Sequence, residues 1–256
     1  MSLTSHIRQQ TEVYQYIKSQ LNLSNCIELI NHQNHNLSQI KHEPIKDTNF
    51  SLTGASVIYG LRNKLFAGYG NWFNRTVASQ ANRPNRTRYP NHIPLPYRYI
   101  YMAMLDGLAR GRNIKVYDSL PVDLQPTLED VTQILEGLST MLFPQANLIN
   151  YYHPNPSFAL SADVGGADAN MIIDGTLVDI RTTAKRTPLD LDNIIQQVGY
   201  YLLDAEDEYS IDSITWIYTR QEIMFDHPIS YLLSDEKQAR LGFLRLVDFE
   251  FAEATY

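Results

Sequence analysis

The chain has 256 residues, of which 44% are hydrophobic and 19% are charged, and its formal net charge is −7. This balance is typical of a globular domain with one main core, and it excludes a disordered or fibrous chain. The lone Cys26 excludes an internal disulfide and a thiolate metal cluster, so a metal would need oxygen or imidazole ligands. No apolar run is long enough to span a bilayer and the N-terminal residues lack a signal-peptide stretch, so we expect a cytoplasmic protein without a membrane partner.

The first part of the chain, residues 1–150, is predicted to be mainly helical. Helices are expected over residues 5–22, 51–66, 97–109 and 126–142, where apolar positions recur at helical spacing or helix formers dominate. Thr127, which is followed by Glu129 and Asp130, is the predicted N-cap of the fourth helix. We expect these helices to act as scaffold.

Between the second and third of these helices lies a basic loop, residues 69–96, in which Gly, Asn and Pro break regular structure. No acidic residue occurs from Thr48 to Leu105, although this stretch carries seven positive charges. Aromatic side chains alternate with the arginines, as in grooves that pair with phosphates and stack bases. We therefore predict nucleic-acid contacts from Arg62, Arg75, Arg83, Arg86 and Arg88. The alternative is that these arginines pair with acidic groups elsewhere in the fold.

After residue 155 the apolar pattern changes to the period of strands. Strands are predicted over 158–164, 169–173, 176–183 and 213–219, with Gly165 and Gly166 as the first turn. Asp174 and Gly175 separate two of these runs, and this dipeptide is the strongest sequence signal for a two-residue type I′ hairpin turn.

Closing the hairpin on that turn pairs residues whose numbers sum to 349, so Asp168 faces Arg181 and Asn170 faces Asp179. All four side chains then share one face of the hairpin. The opposite face carries an apolar set that can pack on helices: Ala169, Met171, Ile173, Val178 and Ile180. The polar face is therefore a placed cluster of charged and amide groups.

Two carboxylates side by side on a hairpin repel each other, and a divalent cation between them would keep both ionised. We therefore predict that Asp168 and Asp179 hold Mg²⁺ or Mn²⁺. Arg181 would stabilise negative charge that develops on a phosphoryl group beside that ion. The alternative is a surface hairpin with an Asp168–Arg181 ion pair of small energetic value.

The helix that follows Pro188 carries two polar side chains at helical spacing. Gln196 and Tyr200 are four residues apart and so lie on one helix face. The alternative is that Tyr200 is simply a core residue.

Asp168, then Asp179-Ile180-Arg181, and then Gln196 and Tyr200 resemble the motifs of the PD-(D/E)XK nuclease superfamily. The last two resemble the QxxxY motif of its RecB-like branch, and Arg181 stands at the position of the motif lysine. The resemblance implies a restriction-endonuclease-like core, a four-stranded mixed sheet flanked by helices, within residues 155–220. It also implies Mg²⁺- or Mn²⁺-dependent cleavage of phosphodiesters, with Gln196 orienting the active site and Tyr200 near the substrate.

We accordingly expect one α/β domain over residues 1–256, ending in a helical segment, 221–256. The predicted function is a metal-dependent nuclease that acts on DNA rather than RNA, in phage defence, restriction or repair. The alternative is a catalytically degenerate fold that binds nucleic acid or a protein partner. RecB-like members often contribute a carboxylate from an early helix, but residues 51–66 contain none, which leaves Glu129, Asp130 and Glu136 as possible substitutes. Whether the protein forms a homo-oligomer stays open.

Overall fold

The computed structural model describes residues 2–65, 93–117, 119–142, 149–167 and 169–254. Its helices are α1 Leu3–Gln9, α2 Glu12–Gln20, α3 Leu23–Asn36, α4 Phe50–Leu65, α5 Tyr97–Ala109, α6 Gln125–Leu142, α7 Leu191–Leu203, α8 Ile229–Leu232 and α9 Glu236–Ala254. Its strands are β1 Tyr152–Pro154, β2 Met171–Ile173, β3 Thr176–Arg181, β4 Ser213–Tyr218 and β5 Ile223–Pro228. No helix in these ranges is both long and apolar enough to cross a membrane.

The predicted helices 51–66, 97–109 and 126–142 are confirmed within a residue or two by α4, α5 and α6. The predicted helix 5–22 is two helices, because Gln10 takes a left-handed conformation, φ 49°, and ends α1. The prediction that Thr127 caps the fourth helix was wrong. A 3₁₀ turn over Val122–Leu124 runs directly into α6 at Gln125, and the Thr127 hydroxyl instead accepts from the backbone N–H of Asn49 at 3.1 Å.

The fold is α/β, and in the described ranges it has one mixed sheet of five strands in the order β1-β2-β3-β4-β5. Neighbouring strands are antiparallel except β3 and β4, which are parallel and are joined through α7. The prediction of four strands was therefore wrong in number, because both edge strands, β1 and β5, were missed. The prediction that 221–256 is helical holds only after β5, where α8 and α9 begin.

The hairpin of β2 and β3 has the predicted turn and register. Asp174 and Gly175 both have positive φ, 45° and 79°, as a type I′ turn requires, and Met171 pairs with Val178. A Cβ on Gly175 would lie 2.9 Å from the carbonyl oxygen of Ser210, so a glycine is needed here for space as well as for φ. The register of the two strands is thus fixed at the turn.

The predicted strand over 158–164 was wrong, because most of this segment forms consecutive turns. Ser161 organises them: its hydroxyl accepts from the N–H of Phe158 at 3.2 Å and donates to the carbonyl of Ala167 at 2.9 Å. Its own carbonyl accepts from the N–H of Gly166 at 2.7 Å. These local bonds satisfy backbone groups that a strand would have paired across a ladder.

The sheet is the middle of three layers. On one face Leu177, Ile214 and Trp216 belong to a hydrophobic cluster that also contains residues of α1, α2, α3, α7 and α9. On the other face Val178, Ile180 and Ile217 belong to a second cluster, with α4, α5 and α6. Because side chains alternate along β3, the two neighbours of Ile180 on this strand point to the first face, toward α7.

Candidate functional site

Asp179 and Arg181 lie two residues apart on β3 and therefore on the same face of the sheet. Asp179 is only 7% exposed. The Arg181 Nε donates to the Asp179 Oδ2 across 2.6 Å, which is the geometry of a short, charge-assisted hydrogen bond. The two side chains thus form an ion pair at the wall of the sheet rather than on open surface.

The second wall of the site is α7. A capping box between Asp190 and Asn193 begins this helix and satisfies the first free backbone N–H groups. One turn further along, Gln196 accepts at Oε1 from the Arg181 Nη2 at 2.9 Å. Its Nε2 donates to the Tyr200 hydroxyl at 3.4 Å. The predicted pair of Gln196 and Tyr200 therefore continues the polar chain that begins at Asp179.

These side chains line one pocket of about 200 Å³ between β3 and α7. The lining residues are Asn170, Asp179, Ile180, Arg181, Gln196, Gln197 and Tyr200. The ring of Tyr200 is largely buried and stacks on Phe158 at 5.9 Å, so this residue belongs both to the core and to the pocket. Four of the five residues predicted to form the site are thus found together.

The electrostatic state of the pocket is set by the ion pair. Burial lowers the pKa of the Arg181 guanidinium, but the charge and hydrogen bond of Asp179 outweigh it and the net pKa is raised. Tyr218, which is next to Arg181 in the register of β3 and β4, has a pKa raised by burial. Arg181 is therefore a permanent cation here and Tyr218 a neutral phenol.

Asp168, the predicted second metal ligand, lies outside the described residues, so its position opposite Arg181 stays a prediction. The predicted pairing of Asn170 with Asp179 is not part of the ladder, because β2 begins one residue later, at Met171. Instead of a ladder pair, the side-chain Oδ1 of Asn170 accepts from the backbone N–H of Ile180 at 2.7 Å. The amide side chain thus replaces a missing backbone acceptor at the edge of the pocket.

The described side chains of the pocket could bind a hard cation such as Mg²⁺ through their oxygen atoms. Among the lining residues that the structure describes, Asp179 is the one carboxylate, and the bond from Arg181 to Oδ2 leaves its Oδ1 as the oxygen that a cation could approach. Within the described ranges there is no group of three or more His, Cys, Asp or Glu side chains that could hold a metal. A complete Mg²⁺ site would therefore need a second carboxylate, and Asp168 is the sequence candidate.

Asp130 does not supply that carboxylate. It is fully buried, and both of its oxygens accept from the Arg220 guanidinium, at 2.9 and 2.6 Å. The hydroxyls of Thr48 and Thr53 also donate to it, at 3.0 and 3.4 Å. Its charge is thus already satisfied in the interior by an arginine and two threonines.

Arg62, which was predicted to contact nucleic acid, is buried and binds the backbone of the protein itself. Its side chain is 5% exposed, and Nε and Nη2 both donate to the carbonyl of Asn170, at 3.1 and 2.5 Å. It therefore supports the backbone at the entrance to β2. The other predicted contacts, Arg75, Arg83, Arg86 and Arg88, and nearly all of the loop 69–96 lie outside the described residues.

Sequence reasoning missed two residues at this site. Gln197, 3% exposed, had a usable signal, because two adjacent glutamines follow Ile194 and Ile195 and precede an apolar run in the same helix. Thr4 had none: it reaches the site from α1, where its hydroxyl accepts from the Gln196 Nε2 at 3.2 Å.

Comparison of the chain with models of protein families, with curated proteins and with solved structures gave no match. Function has to be inferred from the chemistry of the pocket itself.

Proposed function

We propose that the protein is a metal-dependent nuclease that hydrolyses phosphodiester bonds in DNA, with its active site in the pocket between β3 and α7. One observation carries the proposal: Asp179, Arg181, Gln196 and Tyr200, chosen from sequence motifs, line one pocket and form one hydrogen-bonded chain. A strand and a helix contribute two residues each, so the cluster is a product of the fold and not of local sequence. Phage defence, restriction and repair are the processes in which such an activity would serve.

Each side chain then has a defined task. Asp179, together with Asp168, would hold Mg²⁺ or Mn²⁺, and the bound ion would supply Lewis-acid polarisation of a phosphoryl oxygen. Arg181 keeps its positive charge in the pocket and can donate to an anionic oxygen, but it cannot act as a base. Gln196 holds the guanidinium from the side of α7, and Tyr200 presents its hydroxyl to the pocket.

A second candidate is a degenerate site that binds nucleic acid without cutting it. The observation in its favour is the 2.6 Å bond between Arg181 and Asp179, because the guanidinium uses a carboxylate oxygen that a cation would otherwise share. A cation held by fewer oxygens binds less tightly. The two candidates differ in cleavage and in metal dependence.

Asp179→Asn tests the assignment, because it keeps the shape of the side chain and removes its charge. Cleavage of labelled duplex DNA, single-stranded DNA and RNA is measured in Mg²⁺, in Mn²⁺ and in EDTA. Wild type should cleave DNA only with a metal, and Asp179→Asn should lose this activity. Asp207→Asn is the matched control, since this carboxylate is 63% exposed and pairs with Arg240 at a surface.

Unchanged cleavage by Asp179→Asn would sink the active-site assignment. Binding of DNA by wild type without cleavage on any substrate or metal would support the second candidate instead. Thermal melting of each variant shows that a loss of activity is not a loss of the fold.

A further inference from the structure

Gln196 has a hydrogen bond that leads out of the pocket to the N-terminal helix. Its Nε2 lies 3.2 Å from the Thr4 hydroxyl oxygen, on α1, and 3.4 Å from the Tyr200 hydroxyl. Thr4 and Gln196 are 192 residues apart in sequence. A contact of this separation is made by tertiary packing alone.

The direction of this bond follows from the chemistry of arginine. A guanidinium only donates hydrogen bonds, so Arg181 can be met only by the carbonyl end of the Gln196 amide. The amino end of the amide must then point the other way and needs an acceptor. Thr4 provides the closer of the two hydroxyl oxygens, and bonds weaken with distance in this range.

The position of Thr4 does not depend on this bond, because α1 is held in place by its apolar side chains. Leu3 is fully buried and Ile7 is 6% exposed in the same core as α7. Gly199 of α7 lets the helices approach closely, since a Cβ there would lie 3.0 Å from the Leu3 Cδ2. The N–H of Leu3 also donates to the carbonyl of Gly166 at 3.2 Å.

We propose that Thr4 is a positioning residue of the site: its hydroxyl fixes the orientation of the Gln196 amide, so that Oε1 faces Arg181. The consequence for catalysis rests on the proposed nuclease function, whereas the orientation itself does not. Without an acceptor at position 4, the NH₂ group loses the closer of its two hydroxyl acceptors and keeps the Tyr200 hydroxyl at 3.4 Å. The amide is then held less firmly, and the bond from Arg181 to Oε1 is weakened.

Thr4→Val and Thr4→Ser test the proposal. Valine keeps the shape of threonine and removes the hydroxyl, whereas serine keeps the hydroxyl and removes a methyl group. The readout is the pair of side-chain NH₂ resonances of Gln196 in a ¹⁵N–¹H spectrum, assigned by their loss in Gln196→Met. We expect slow hydrogen exchange and a shifted position in wild type and Thr4→Ser. In Thr4→Val the pair should move and exchange faster.

The second readout is turnover of the DNA substrate with Mg²⁺. Thr4→Val should lower kcat by about fivefold, the effect of one neutral hydrogen bond, with KM unchanged and with recovery in Thr4→Ser. Gln196 resonances that are identical in Thr4→Val and wild type would overturn the proposal. If the resonances move as expected but wild type cleaves nothing, the positioning role stands and the nuclease function fails.

Discussion

The Arg181 Nε lies 2.6 Å from the Asp179 Oδ2, and the Nη2 of the same guanidinium lies 2.9 Å from the Gln196 Oε1. One planar cation therefore bridges the sheet and α7. The bridge also defines the shape of the pocket, since its three members are among the lining residues. Arginine suits this task because its donors have a rigid, spread geometry that a lysine ammonium lacks.

Arg181→Lys should therefore change both contacts at once. A single ammonium is more compact and more mobile, so it releases the Asp179 oxygen for a cation and can approach a phosphoryl oxygen from more directions. If wild type is a slow nuclease, turnover should rise about tenfold, which corresponds to ~1.4 kcal/mol of transition-state stabilisation. Single-turnover cleavage of labelled DNA in Mg²⁺ and in Mn²⁺ measures this rise.

Arg181→Met is the control, because it removes the charge and keeps most of the apolar stem. Turnover should fall below that of wild type in this variant. A loss of activity in Arg181→Lys as well would mean that catalysis needs the guanidinium geometry. If neither wild type nor Arg181→Lys cleaves DNA, the result would contradict an enzymatic function and support the second candidate, a degenerate site that binds nucleic acid.

The buried pair of Asp130 and Arg220 should matter for stability rather than for activity. Both side chains are inaccessible, and Asp130→Asn would leave the Arg220 charge without its counterion in the interior. Losing one partner of such a pair costs about 3–5 kcal/mol. Urea unfolding should show this loss in Asp130→Asn.

The comparison variant is Asp106→Asn, whose ion pair with Arg110 lies on the surface of α5. Its cost should stay below about 1 kcal/mol. If both variants cost equally little, the interior pair is not an essential part of the core. The double variant Asp130→Leu/Arg220→Met should recover much of the stability, because it leaves no buried charge.

The arginines predicted to bind nucleic acid should fall into two classes. Arg62→Met removes both guanidinium donors from the Asn170 carbonyl, which still accepts from the N–H of Asn155 at 3.1 Å, so the loss of stability should be about 0.5–1.5 kcal/mol. Arg62→Met should leave the salt dependence of DNA binding unchanged.

Replacing Arg83, Arg86 and Arg88 by Ala should instead weaken binding and reduce its salt dependence by up to about three counterions. Titrations at several salt concentrations separate the two classes, and a normal salt slope in the triple variant would show that these three arginines are not contacts.

The lowered pKa of Glu222 predicts how the free energy of unfolding changes at acidic pH. Partial burial raises its pKa, but hydrogen bonds from Lys41 and His42, at 2.9 and 2.6 Å, bring the pKa below its ordinary value of 4.5. Because the folded-state pKa is the lower one, the stabilisation is fully present above the unfolded-state value and is lost as pH falls through the folded-state value. Glu222→Gln should therefore be less stable than wild type at pH values above 4.5, and the difference should shrink as the pH falls below 4.5. Urea unfolding at several pH values measures this, and a constant difference across the range would contradict it.

Local signals in the sequence were sufficient for the centre of the fold. Asp174 and Gly175 determine a turn by their own backbone preferences, and the turn then fixes which residues of β2 and β3 pair. Because side chains alternate along a strand, Asp179 and Arg181 could be assigned to one face of β3. The spacing of Gln196 and Tyr200 needed only the period of a helix.

Two of the misses, strand β5 and Arg62, have a common cause, which is that tertiary contacts decided the structure there, whereas local side-chain bonds decided it at Ser161. Strand β5 alternates partly buried with exposed residues, but its last positions, Asp226, His227 and Pro228, are not typical of strands, and pairing with β4 supplies the order. Ser161 redirects a strand-like segment into turns through bonds that composition does not reveal. Arg62 was predicted to contact nucleic acid because it lies in a basic stretch without acidic residues, whereas its partner is a backbone carbonyl 108 residues further along the chain.

The separation of Thr4 and Gln196 in sequence also limits when their contact can form during synthesis of the chain. At ribosomal rates of about 5–20 residues per second, the 192 residues that separate them take roughly 10–40 s to make. Until then the apolar side chains of α1, Leu3 and Ile7, have no α7 to cover them. The docking of α1 on α7 therefore has to wait for these residues, and until then Leu3 and Ile7 present apolar surface that α7 later covers.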